Sequence, residues 1–134
     1  MPISPGQCAA ALAITAMLMS ISAANRAGLV IGNPTPSVPR GLYYAVTPER
    51  AGYVSFCLDH RHRDRAYYGR FCSSEQQNGF RILKRIAERR PDGSLIVRGD
   101  SPKALDSRLL GPVQPGQIRA WWRPLILIDR QERK

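Results

Sequence analysis

From Cys8 to Ala24 the chain reads CAAALAITAMLMSISAA, and no charged side chain precedes Arg26. A helix made of this run is apolar or small on every side, so it has no polar face to turn to water and cannot lie on the surface of a globular domain. Crossing the hydrocarbon core of a bilayer takes about 20 residues. The run reaches that length when Gln7 and Asn25 sit at the two interfaces. Residues 1–27 are therefore expected to form an N-terminal membrane anchor or signal segment. Ser22-Ala23-Ala24 supplies the small-x-small pattern of a cleavage site, but the basic residues that open a secretory signal are missing, which favours an uncleaved anchor. Arg26 and the later basic residues would hold the rest of the chain in the cytoplasm by the positive-inside rule, yet long domains cross largely regardless of charge.

Residues 28–134 are left for a single domain, which fits a chain of 134 residues with 43% hydrophobic composition. The formal net charge of +10 admits nucleic acid or an anionic membrane surface as a partner. The basic side chains are spread from Arg26 to Lys134 without regularly interleaved aromatics. That pattern argues against a nucleic-acid footprint, and the apolar N-terminus makes the membrane the expected partner.

Behind the apolar run lies Gly32 to Tyr44, GNPTPSVPRGLYY. Pro34 and Pro36 precede Ser37, Pro39 follows it, and each proline pushes the residue before it out of the α region. A hydroxyl on so stiff a segment is presented rather than packed; the alternative is a proline-rich linker. Next come two short strands, Gly41 to Val46 and Gly52 to Cys57, separated by the Thr47-Pro48 turn. Asp59 to Arg65 reads as a solvated charged loop. His60 and His62 have no second ligand cluster nearby, so neither a metal nor another cofactor is expected. Cys57 and Cys72 stand fifteen positions apart. They are a disulfide if the domain is exported, and two reduced thiols if it is cytoplasmic.

In Phe80-Arg81-Ile82-Leu83-Lys84-Arg85-Ile86, strand alternation puts Phe80, Ile82, Lys84 and Ile86 on one face. Lys84 then points with the apolar set, where loss of hydration lowers an amine's pKa toward the range of a general base; the alternative is a lysine that snorkels out at a strand edge. Pro91-Asp92-Gly93 is a turn, and Leu95 to Val97 returns as the other arm of a hairpin. Asp106 and Arg108, two apart on an extended chain, suit an ion pair that braces a loop. Ile118 to Arg123 alternates as a closing strand, with Ile118, Ala120 and Trp122 on one face and Arg119, Trp121 and Arg123 on the other. Arg130 to Lys134 reads as a frayed tail.

Taken in order, NPTPSVPRGLY, ILKRI and GDSPKALDSRLLGPV resemble the membrane-bound serine/lysine signal peptidases of type I. The form of the first box is most similar to their conjugative-transfer branch, the TraF-type pilin-processing peptidases. The resemblance covers Asn33 to Val113, and it is the combination of boxes behind one apolar segment that is specific. It implies a mainly β, compact barrel-like catalytic core on an N-terminal transmembrane helix, facing the periplasm from the bacterial inner membrane. It implies Ser37 as nucleophile and Lys84 as general base, a dyad that needs no histidine. Thr35 and the Ser37 backbone N–H match the oxyanion hole, while Asp100, Asp106 and Arg108 match the residues that brace the site. Exported precursors or pilins, bound extended and cut after small residues, are the implied substrates.

Three departures stand out. Val38 occupies a position where many members carry methionine, a mild apolar change. Ala104 stands where many relatives place a serine that orients the lysine amine, so Ser101 or a backbone carbonyl has to substitute. Only fourteen residues separate Lys84 from Gly99, which leaves no room for a large accessory subdomain. Two functions follow: a membrane-anchored serine endopeptidase, or a catalytically inactive relative serving as a binding or assembly module of a conjugative transfer apparatus.

Overall fold

The computed structural model describes residues 2–128, which form two compact units that divide between Ile31 and Gly32. The first is dominated by helix α1, Pro5–Arg26. Ser4 caps it by accepting from the Gln7 backbone N–H, the Gln7 side chain accepts from the Ser4 N–H, and Pro5 occupies the first turn, where its missing N–H costs nothing. None of its residues is buried. At 22 residues it is about 33 Å long, long and apolar enough to cross a bilayer core.

The second unit is mainly β. Strands β1 (Val30–Asn33), β2 (Gly41–Ala45), β3 (Tyr53–Phe56), β4 (Ile82–Arg89), β5 (Leu95–Arg98) and β6 (Ile118–Leu127) form a sheet in the order β1-β2-β6-β3-β4-β5. Pairings β2 with β6, β6 with β3, β3 with β4 and β4 with β5 are antiparallel. The sheet is open, with β1 and β5 as its ends among the described residues, and so differs from the barrel-like closure expected. The frayed tail expected at residues 130–134 lies outside the described residues.

One face of the sheet carries the core. Val54, Phe56, Ile82 and Val97 pack there with Leu58, Leu95, Leu110 and Val113, all buried. At about 25 cal/mol per Å² of apolar surface, burying each such side chain stabilises the fold by roughly 1.5–3 kcal/mol. Across the β3–β4 pair Lys84 stands opposite Val54, and Ile82 opposite Phe56. The expected companion Phe80 is not on this face. It is 76% exposed, because β4 starts only at Ile82 and Phe80 belongs to the preceding loop, where it bridges to Phe71.

The alternation expected of β6 is broken as well. The register slips between Ser55 and Phe56, so that Arg119 is an extra residue, and a one-residue bulge exchanges the faces beyond it. Ile118 and Trp121 consequently pack against the same core, while Trp122 is buried elsewhere and donates its Nε1–H to Ser55 Oγ at 2.9 Å. Further along, Pro124 sits at a second bulge, opposite Tyr43, where an absent N–H is tolerated. Past it Leu125, Ile126, Leu127 and Ile128 are all exposed.

Cys57 and Cys72 are bridged by a disulfide that ties the end of β3 to the far side of the charged loop. That loop is only partly solvated. Asp59 caps a short 3-10 turn, His60–His62, and His62 is buried with its pKa lowered by the loss of hydration.

Candidate active site

Ser37 and Lys84, 47 positions apart in sequence, meet: Lys84 Nζ lies 3.0 Å from Ser37 Oγ. The two are brought there by different means. Lys84 sits inside β4, with ladders to β3 and β5 on its two sides. Only 5% of it is exposed. Burial lowers its pKa from the ordinary lysine value, and the carboxylates of Asp106 and Asp100 partly oppose the shift. Its ammonium has a second acceptor in the Leu83 carbonyl at 3.1 Å. Leu83 O thus offers the amine a backbone acceptor, while Ala104 brings only a methyl group.

Ser37 lies on the loop between β1 and β2, held by the side chain of Asn33. Asn33 Nδ2 donates to the carbonyls of Thr35 at 3.0 Å and of Val38 and Pro39 at 3.3 Å. Asn33 Oδ1 accepts from the Thr35 backbone N–H at 3.2 Å and from the Thr35 hydroxyl at 2.8 Å. Thr35 Oγ1 is also 3.3 Å from Ser37 Oγ. Val38, next to Ser37 in sequence, is fully buried and Tyr43 donates to Pro39 O, so the loop is pinned at these residues as well.

The third segment, Gly99 to Arg108, closes on both. The Asp100 N–H donates to Ser37 O at 2.6 Å, and the Asp100 carboxylate pairs with Arg85 Nη1 at 2.9 Å. Gly99 fits because it has no side chain. A Cβ there would lie 2.4 Å from Ala104 Cβ, 2.9 Å from Ser37 O and 3.4 Å from Lys84 Cδ. Asp106, fully buried, fixes that glycine by accepting its N–H at 2.9 Å on Oδ2.

Asp106 also accepts from Arg108, whose Nη2 lies 2.7 Å from Oδ2, and Arg108 Nη2 reaches Ser101 O at 2.8 Å. The expected ion pair is therefore present, but its backbone is different. Asp106 is the N-cap of a short helix, α2 (Ser107–Leu110), so Arg108 approaches from the first helical turn instead of along an extended strand. Burial pushes the Asp106 carboxyl up, but hydrogen bonds from the Arg108 side chain and from the Gly99 and Arg108 backbone amides outweigh it and hold the pKa at about 2.

Of the residues singled out in the sequence, Ser37, Thr35, Lys84, Asp100, Asp106 and Arg108 thus converge, while Cys57 and Cys72 form a separate staple. Asn33 was missed, and of the two substitutes expected to meet the lysine amine, Ser101 or a backbone carbonyl, it is a carbonyl, that of Leu83, that does so. Asn33 carried a signal in its position, two residues before Thr35 and directly before a proline, as a side chain able to bond a turn's backbone; a backbone carbonyl has none. Chemically, the site presents a hydroxyl on a rigid loop to an amine whose neutral form is favoured by burial, an arrangement able to transfer a proton and form an ester at Ser37. No family model, curated protein or solved structure matches this chain.

Proposed function

We propose that this protein is a membrane-anchored serine endopeptidase in which Lys84 takes the proton of Ser37 as the hydroxyl attacks a peptide carbonyl. The observation that carries the reading is the 3.0 Å contact between Ser37 Oγ and a lysine buried on the core face of a strand. Attack forms the bond from Oγ to the carbonyl carbon, the amine takes the Oγ proton, and that proton leaves with the amine of the departing peptide. Water then resolves the acyl-enzyme with Lys84 again as base. In this reading the Ser37 backbone N–H donates to the developing oxyanion. The substrates are exported precursors, a signal peptide or a conjugative pilin, cut after small residues.

Helix α1 serves as the anchor, in the bacterial inner membrane, with the second unit in the periplasm. The Cys57–Cys72 bridge supports that side, since such bonds persist in oxidising compartments. Precursor cleavage by the full chain in detergent or liposomes, with Ser37→Ala and Lys84→Ala as comparisons, tests the activity. Full cleavage by either variant removes the dyad. Free, readily alkylated Cys57 and Cys72 in protein taken from the native membrane would overturn the periplasmic placement.

A further inference from the structure

The serine loop contains a hydrogen-bond chain whose direction is determined. Asn33 Nδ2 faces three carbonyl oxygens, which only accept, and Asn33 Oδ1 faces the Thr35 backbone N–H, which only donates. The amide has one orientation that satisfies all four. Oδ1 is then an acceptor for the Thr35 hydroxyl, 2.8 Å away, and the Thr35 proton is committed to it. What Thr35 turns toward Ser37 Oγ, at 3.3 Å, is a lone pair.

Resting on the dyad reading, we propose that Asn33 is a positioning residue which, through Thr35, sets the proton direction of the nucleophile: Lys84 donates to Ser37, Ser37 to Thr35 and Thr35 to Asn33. In this resting arrangement every hydroxyl in the chain is satisfied while Lys84 is charged. Loss of one proton from Lys84 lets the Ser37 hydrogen swing from Thr35 to the free amine. Activation is thus one hydroxyl rotation. Thr35 holds the idle position of the proton, in contrast to the oxyanion donation that the sequence resemblance assigns to it.

The two roles predict different behaviour of Thr35→Val, which keeps the branched shape. Thr35 is exposed, and its backbone bond to Asn33 survives the change. Without the Thr35 acceptor the charged state of the dyad loses a bond that the neutral state never had. The Lys84 pKa should therefore fall further, by roughly half a unit to one unit. Thr35→Ser, which restores the hydroxyl, should return it.

The measurement is the pH titration of 13C-labelled lysine side chains by NMR on the full chain in detergent, with the Lys84 signal assigned by its loss in Lys84→Ala. The pH dependence of peptide turnover is recorded beside it. A downward shift in Thr35→Val, rescued in Thr35→Ser, supports the chain. An unmoved Lys84 titration overturns it, and if turnover then falls about a hundredfold or more at every pH, Thr35 is an oxyanion donor. The titration needs no activity, so failure of the peptidase reading, seen as full cleavage by Ser37→Ala, is distinguishable from failure of the chain.

Discussion

The two halves of the proposed dyad are built on opposite principles. Lys84 belongs to β4, an interior strand of the sheet that pairs with β3 and β5, and its side chain is fixed by burial. Ser37 belongs to a loop with no ladder, where three prolines restrict the backbone and one amide side chain gathers three carbonyls, an N–H and a hydroxyl. A strand distributes its rigidity over many bonds; the loop concentrates it in Asn33. The lysine side should therefore tolerate neighbouring substitutions and fail only when its amine is changed. The serine side should fail through residues that never touch a substrate.

The largest effect expected comes from the two reacting groups. Ser37→Ala and Lys84→Ala should each reduce turnover by roughly four orders of magnitude or more, with no further loss in the double variant, because paired groups fail as a unit. Lys84→Arg should be as inactive, since a guanidinium stays charged and cannot take the proton. Additive losses, or a working Lys84→Arg, would break the comparison at its root.

Asp106→Ala should come next. It leaves the Gly99 N–H and the first turn of α2 without their acceptor, at a cost of about 2–3 kcal/mol in a denaturant midpoint measurement. The sign with pH follows from a folded pKa of about 2 against an unfolded value of about 3.9. The stabilisation from this carboxylate is complete above the unfolded value and is lost as pH falls through the folded one. An unchanged acid limb in Asp106→Asn would remove Asp106 as the brace.

A smaller, directional effect concerns Lys84. With its pKa lowered by burial, turnover should rise with pH along a limb below the ordinary lysine range. The folded chain binds fewer protons at Lys84 than the unfolded chain does between the two pKa values, so burial of this amine costs stability below the folded value. That cost is recovered as pH rises toward the unfolded one. A limb at the ordinary lysine value would mean the amine is hydrated. The smallest effect is expected from Ala104→Ser: turnover should change by no more than about threefold, because Leu83 O already orients the amine. A tenfold gain would show that the carbonyl is an inadequate substitute.

The elements themselves were largely legible. Gly41–Val46, Gly52–Cys57 and Leu95–Val97 carry β-branched and aromatic residues between turn signals, and strands stand at each. The grouping of Ser37, Lys84 and Asp106 in one site was implied by the family resemblance and by nothing in spacing or periodicity. Misreadings arose where local pattern depends on pairing. Phe80 has the spacing of the apolar face but lies before the first ladder residue, and the faces of Trp121 and Trp122 were exchanged by a bulge at Arg119 that no alternation announces. β1 was missed because Leu29-Val30-Ile31 is too short an apolar run, ending at Gly32-Asn33-Pro34, to show any alternation. The openness of the sheet depends on which strands pair, which composition does not encode.

The close packing at Gly99 constrains inheritance and engineering. Its missing side chain makes room at once for the Ser37 carbonyl, the Lys84 stem and the Ala104 methyl, so a substitution in any one of the three segments changes what the other two can accept. The segment from Gly99 to Ala104 therefore has to be exchanged as a unit. A chimera that brings a residue much larger than serine to position 104 should express poorly until the segments around it are imported with it, and sequences that share this site should vary at positions 99 and 104 in concert.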